Sequence, residues 1–198
     1  MTKLCLATTT LLSVTVILAG CSTKTTQSAR QHMEPRSTVS QQMTQDPLTS
    51  VDVTFRTGSD DKRKESRLEM YVLTARDIVA SDAGSYGLFD NNSTNGPFSL
   101  GLRYKPDIQV MKQTYFKLIW DPWHGPFGNT DEWHFSGTVS LHFASGAMLP
   151  CSFYDGRNGL HNDIRFTNDA RVLTCEFGTG KVVLSGPDGT NPSTVVAP

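Results

Sequence analysis

Three carboxylates are the residues best suited to chemistry. Asp60 and Asp61 lie in an acidic-basic run, Ser59-Asp60-Asp61-Lys62-Arg63, and Asp131 begins a second acidic step, Asp131-Glu132-Trp133. Calcium takes hard oxygen ligands from carboxylates that converge from separate loops. Asp60, Asp61 and Asp131 could supply such a calcium set if the two loops meet at one end of the fold, though no cofactor is required by the sequence. The competing reading has Asp60 and Asp61 capping a turn and pairing with Lys62, Arg63 or Lys64. Residues 90–96 (DNNSTNG) only look like a cation loop. Their glycine comes one place late for an EF-hand, and Gly101 stands where the bidentate glutamate belongs, so they read as turns.

Catalytic patterns are absent from the sequence. It holds no G-x-S-x-G elbow, H-E-x-x-H helix, Walker loop or dinucleotide fingerprint. Its histidines are His32, His124, His134, His142 and His161. His134 and His142 share one face of an alternating stretch, but at strand rise they are about 27 Å apart, too far to hold one metal ion. No catalytic residue is assigned, and the chain is not expected to be an enzyme. Residues 120–128 (WDPWHGPFG) are of another kind, combining aromatics with prolines and glycines. Aromatic side chains on a stiffened loop lose little entropy on contact, which suits Trp123, His124 and Phe127 to a protein or glycan partner. The alternative is that Trp120 ends a core strand and the others pack beneath the loop.

The elements that must position these groups are strands. Val51, Val53 and Phe55 take alternate places, as do Leu68, Met70 and Val72, and Phe116, Leu118 and Trp120. Over residues 133–143 the alternation is longest: Trp133, Phe135, Val139, Leu141 and Phe143 on one face with Gly137 in register, His134, Ser136, Thr138, Ser140 and His142 on the other. One face belongs to a core and the other to a polar surface. Shorter strands are expected at 148–154, 163–167, 171–177 and 181–185. Between them come turns at Asp155-Gly156, Asn158-Gly159, Asn168-Asp169 and Gly178-Thr179-Gly180. Many short strands at this spacing imply an all-β fold, a single antiparallel sandwich or jelly roll over residues 48–185. Residues 75–83 are the one place where a brief helix is expected, and residues 186–198, with three prolines, read as a loose tail.

Ahead of this domain the chain has the form of an exported protein. Lys3 is followed by an apolar stretch over residues 4–19 that is diluted by threonine and serine, which fits a secretory signal better than a membrane span. Its end, Leu18-Ala19-Gly20-Cys21, resembles the lipobox of bacterial lipoproteins. The resemblance implies cleavage after residue 20, diacylglycerol on the Cys21 thiol and retention on a membrane through buried acyl chains. Ser22, rather than an aspartate, follows the cysteine, and by the same resemblance the outer membrane is favoured. Residues 22–47 are rich in Ser, Thr and Gln and lack aromatics. Such a stretch cannot bury enough apolar surface to offset its ordering entropy and reads as a disordered tether, with a root-mean-square span of about 25 to 30 Å.

Export also decides the remaining cysteines. Of four, Cys5 leaves with the signal and Cys21 carries lipid, so Cys151 and Cys175 remain as a pair in an oxidising compartment and are expected to form a disulfide. The full chain carries 18 basic and 19 acidic residues without a basic stripe, so nucleic acid is not an expected partner.

A second resemblance covers residues 51–143. A strand ending in Thr57-Gly58, the charged loop after it, a further strand, and Asp131-Glu132-Trp133 opening a long strand look like the pattern of PLAT/LH2-like β-sandwiches. That resemblance implies a non-catalytic sandwich that binds lipid surfaces or protein partners, sometimes with calcium. The functional expectation is an envelope lipoprotein whose sandwich works by binding. A structural component of a secretion, pilus or exclusion machine is the alternative, and an envelope hydrolase comes third.

Overall fold

The computed structural model describes residues 45–126, 131–154, 164–190 and 192–195. The signal, Cys21, most of the tether, Phe127 and His161 lie outside them. Two antiparallel sheets pack together. In one, β1 (Leu48–Thr57) lies between β4 (Thr94–Ser99) and β7 (Trp133–Phe143), and β8 (Met148–Phe153) follows β7. A short strand, β9 (Ile164–Phe166), pairs with the opening residues of β7. The other sheet runs in the order β12 (Ser193–Val195), β11 (Val182–Ser185), β10 (Val172–Glu176), β6 (Tyr115–Asp121), β2 (Arg67–Leu73), β3 (Ile78–Gly84) and β5 (Gly101–Leu102). A single turn of helix, α1 (Ile108–Met111), is capped by the Asp107 carboxylate, which accepts the Gln109 amide at 2.8 Å.

The core is what the alternation requires. Val51, Val53 and Phe55 of β1 face Trp133, Phe135, Val139 and Leu141 of β7 across one sheet, all fully buried. Leu68, Met70, Val72, Phe116 and Leu118 close over them from the other. Phe55 is the hub, with the rings of Phe89, Phe98, Trp133, Phe135 and Phe153 at centroid distances of 5.2 to 6.2 Å. Gly137 holds the apolar register of β7 without a side chain for a steric reason. A Cβ there would come within 2.6 Å of both the Phe153 ring and the Thr54 carbonyl oxygen. The bulk of Phe153 therefore fills the place a residue 137 side chain would take.

Cys151 on β8 and Cys175 on β10 are joined, so the disulfide ties one sheet to the other across a Cα separation of 6.4 Å. With 24 residues of sequence separation, chain-entropy reasoning gives it about 3 kcal/mol. Proline occurs in β4 (Pro97) and in β8 (Pro150), the end strands of the first sheet's main path, where a missing N–H costs no ladder bond on the open side.

Two expectations are corrected. The brief helix over residues 75–83 is instead mostly strand β3, paired in register with β2 from Leu68↔Gly84 to Val72↔Ala80 and, after a bulge, at Leu73↔Ile78. The Thr74 hydroxyl accepts the amides of Arg76 and Asp77, which builds a hairpin turn, and the β-branched Ile78 and Val79 then follow the sheet. The tail is not wholly loose, because Ser193–Val195 adds to β11 after a turn closed by the Gly186 amide on the Thr190 carbonyl at 2.7 Å.

The chain enters the sandwich through a defined junction. Asp46 donates its amide to the Asp107 carboxylate at 2.8 Å and accepts the amide and hydroxyl of Ser145 at 2.8 and 2.7 Å. These amides hold the Asp107 carboxyl below its ordinary value, Gln109 first and Asp46 second. From here β1 carries ten residues to Thr57, so its far end is about 30 Å away at strand rise.

Candidate functional site

At that far end, the loop after β1 meets the segment that opens β7. Backbone bonds set the meeting: the Gly58 amide donates to the His134 carbonyl at 2.7 Å, and the His134 amide to the Asp60 carbonyl at 3.2 Å. The two loops of the expected calcium site are thus together, but their carboxylates do different things.

Asp131 belongs to the framework. It is 5% exposed, and one of its oxygens accepts the Arg63 amide at 3.0 Å and the Ser66 hydroxyl at 2.7 Å. The other faces the Arg63 guanidinium at 3.6 Å. Ser66 in turn accepts the Trp123 amide at 2.8 Å, and the Asp131 amide donates to the Trp123 carbonyl. Beside it lies Lys62, which by sequence belongs to a solvated charge run and is in fact fully buried. Its ammonium donates to the carbonyls of Arg63, Ser66, Ser85 and Gly87 at 2.6 to 3.0 Å and stands 4.8 Å over the Phe89 ring. Burial pulls its pKa down to about 8, against the opposing charges of Asp131 and Glu65. Lys62 and Asp131 therefore bind the segments at residues 58–66 and 85–89, Trp123 and the start of β7 into one end wall.

The group of ligand-type side chains that converges here is not the expected trio. Among the described residues, the ligand atoms of Asp60, Glu132 and His134 all lie within 4.8 Å of one another, each residue half-buried. Burial raises the Asp60 pKa, and the charges of Asp61, Asp131 and Glu132 raise it further against the pull of His134. Asp61 and Asp131 thus act on this cluster through charge and are not members of it. One Glu132 oxygen is engaged by Arg165, whose Nε lies 3.1 Å away and whose terminal nitrogen also donates to it. The His134 ring places Nδ1 3.1 Å from the Ser59 hydroxyl. Its Nε2 is shut off from solvent without a hydrogen-bond partner, a condition shared among the described residues only by Trp120 Nε1 in the core.

Glu132 and His134 fall outside the expected ligand set. The alternation marked His134 as polar-face, which is correct, but periodicity cannot show what lies opposite. His142, on the same face of β7, is separate: its Nε2 is 3.3 Å from an Asp52 carboxylate oxygen on β1.

The aromatic loop divides. Trp120 is 1% exposed and stacks on Phe166 in the core, as the packing alternative has it. Trp123 is half-buried, with the Arg63 guanidinium 5.0 Å over its ring, and His124 is exposed. Phe127 lies outside the described residues. No family model, characterised protein or solved structure matches this chain.

Proposed function

We propose that the chain is a bacterial envelope lipoprotein, anchored by acyl groups on Cys21, whose β-sandwich works by binding a protein or glycan and not by catalysis. The observation that carries the reading is the pairing of a lipobox, Leu18-Ala19-Gly20-Cys21, with a disulfide between Cys151 and Cys175. Stable disulfides belong to oxidising compartments, where a lipobox would deliver the chain. The junction at Asp46 supports it as well. A polar segment leads into a fixed attachment beside α1, and the loops bearing Asp60 and Trp123 lie toward the other end of β1. A half-buried Trp123 under a guanidinium and an exposed His124 give that end the aromatic and polar character of a contact surface.

Metabolic labelling with radioactive palmitate tests the reading. The parent chain takes up label and fractionates with membranes, and Cys21→Ser takes up none and appears in the soluble fraction. Unchanged labelling and retention of Cys21→Ser would sink it.

A further inference from the structure

We propose that Asp60, Glu132 and His134 form a binding site for a divalent transition-metal ion of the zinc class, a site that goes beyond the anchored binding module described above. The geometry is the first support. One imidazole nitrogen and two carboxylates bring their ligand atoms within 4.8 Å of one another, and a tetrahedral zinc ion needs separations of roughly 3.4 Å, so binding has to shorten each by no more than about 1.4 Å.

The second support is independent of the carboxylates. His134 Nε2 is buried and makes no hydrogen bond, although buried polar atoms are normally satisfied. In the tautomer whose Nδ1–H donates to the Ser59 hydroxyl, Nε2 is the unprotonated ring nitrogen and keeps an unused lone pair. An unused lone pair on a ring nitrogen is what a metal ion takes up. The ligands are also held in place without metal, because the Gly58 and His134 amides tie the Asp60 loop to the start of β7.

The donor set selects the metal. Imidazole with carboxylate suits zinc and its neighbours, and calcium prefers an all-oxygen shell. Arg165 competes for Glu132, but it occupies one carboxylate oxygen and leaves the other available. Arg63 is engaged with Asp131. Three protein ligands leave a fourth position for water or for a donor group from a partner.

The test uses the full chain, solubilised in detergent and stripped with a chelator, titrated calorimetrically with zinc chloride and separately with calcium chloride. Zinc binds with one-to-one stoichiometry and calcium gives no heat. His134→Ala and Asp60→Asn each weaken zinc binding tenfold or more while their circular-dichroism spectra match the parent. Arg165→Gln, which frees Glu132, tightens it. Nitrogen NMR of the His134 ring shows an Nε2 shift on zinc addition. Absence of zinc heat in the parent, equal affinity in His134→Ala, or an imidazolium signal that zinc leaves unchanged overturns the proposal.

Discussion

Lys62 and His134 stand a few residues from the same backbone crossing, and the molecule treats them in opposite ways. Lys62 is a cation wholly removed from water and surrounded by four carbonyl oxygens. His134 is half-buried, yet its Nε2 has no partner, and the residue lies in a cluster with Asp60 and Glu132. The first arrangement is complete in itself and serves to hold three loops. The second leaves bonding capacity unused. Burial of a charged group therefore says little about function at this end of the sandwich, and what discriminates is whether its bonding capacity has been used.

The comparison breaks if Lys62 proves dispensable. Lys62→Met keeps most of the buried volume but strips the donors from the loop carbonyls, and chemical denaturation is expected to show a loss of roughly 3–5 kcal/mol. Asp131→Asn is the next test of the complete half. It removes the charge facing Arg63 and sets an amide group where two donors converge, for a loss of about 1.5–3 kcal/mol in the same assay, with strand content unchanged by circular dichroism.

The smallest effect concerns Tyr86, which lies between Ser85 and Gly87, two of the residues whose carbonyls hold Lys62. Its hydroxyl donates to Asp82 at 2.7 Å, and burial, with that bond and the Asp82 charge, raises its pKa well above the ordinary 10.0. The folded hydroxyl keeps its proton where the unfolded one loses it, so this contribution is complete below pH 10 and declines as pH rises toward the folded value. Parent and Tyr86→Phe should differ by about 1 kcal/mol at neutral pH, and the gap should narrow in denaturation curves taken above pH 10. A gap that widens there would show that the hydroxyl is not held in its neutral form.

Much of the architecture was readable before the fold was known. Alternate apolar residues marked β1, β2, β6 and β7, because strand geometry sends successive side chains to opposite faces whatever the strand pairs with. Cys151 and Cys175 pair as expected. Residues 78–84 misled because their alanines suit a helix as well as a strand, and the choice fell to β2, which offered a ladder. Residues 193–195 misled in the same way, since nothing local announces that β11 has an open edge.

The candidate site was legible only in part, and the division follows distance along the chain. That the loops bearing Asp60 and Asp131 meet could be anticipated from acidic residues at strand ends. Which carboxylate turns inward could not. The answer depends on the β1–β7 register, in which Thr57 lies opposite Phe135, so that Gly58 and Asp60 bond to the His134 backbone. One residue of slip would carry His134 to the other face of the sheet. Residue types and their periodicity are local properties, and they determined the strands, the cysteine pair and the supply of ligand groups. Contacts between groups some seventy residues apart depend on packing and register that the whole core enforces. For that reason only the tertiary structure could bury Lys62, spend Asp131 on Arg63 and Ser66, gather His134 with Asp60 and Glu132, and leave its Nε2 without a partner.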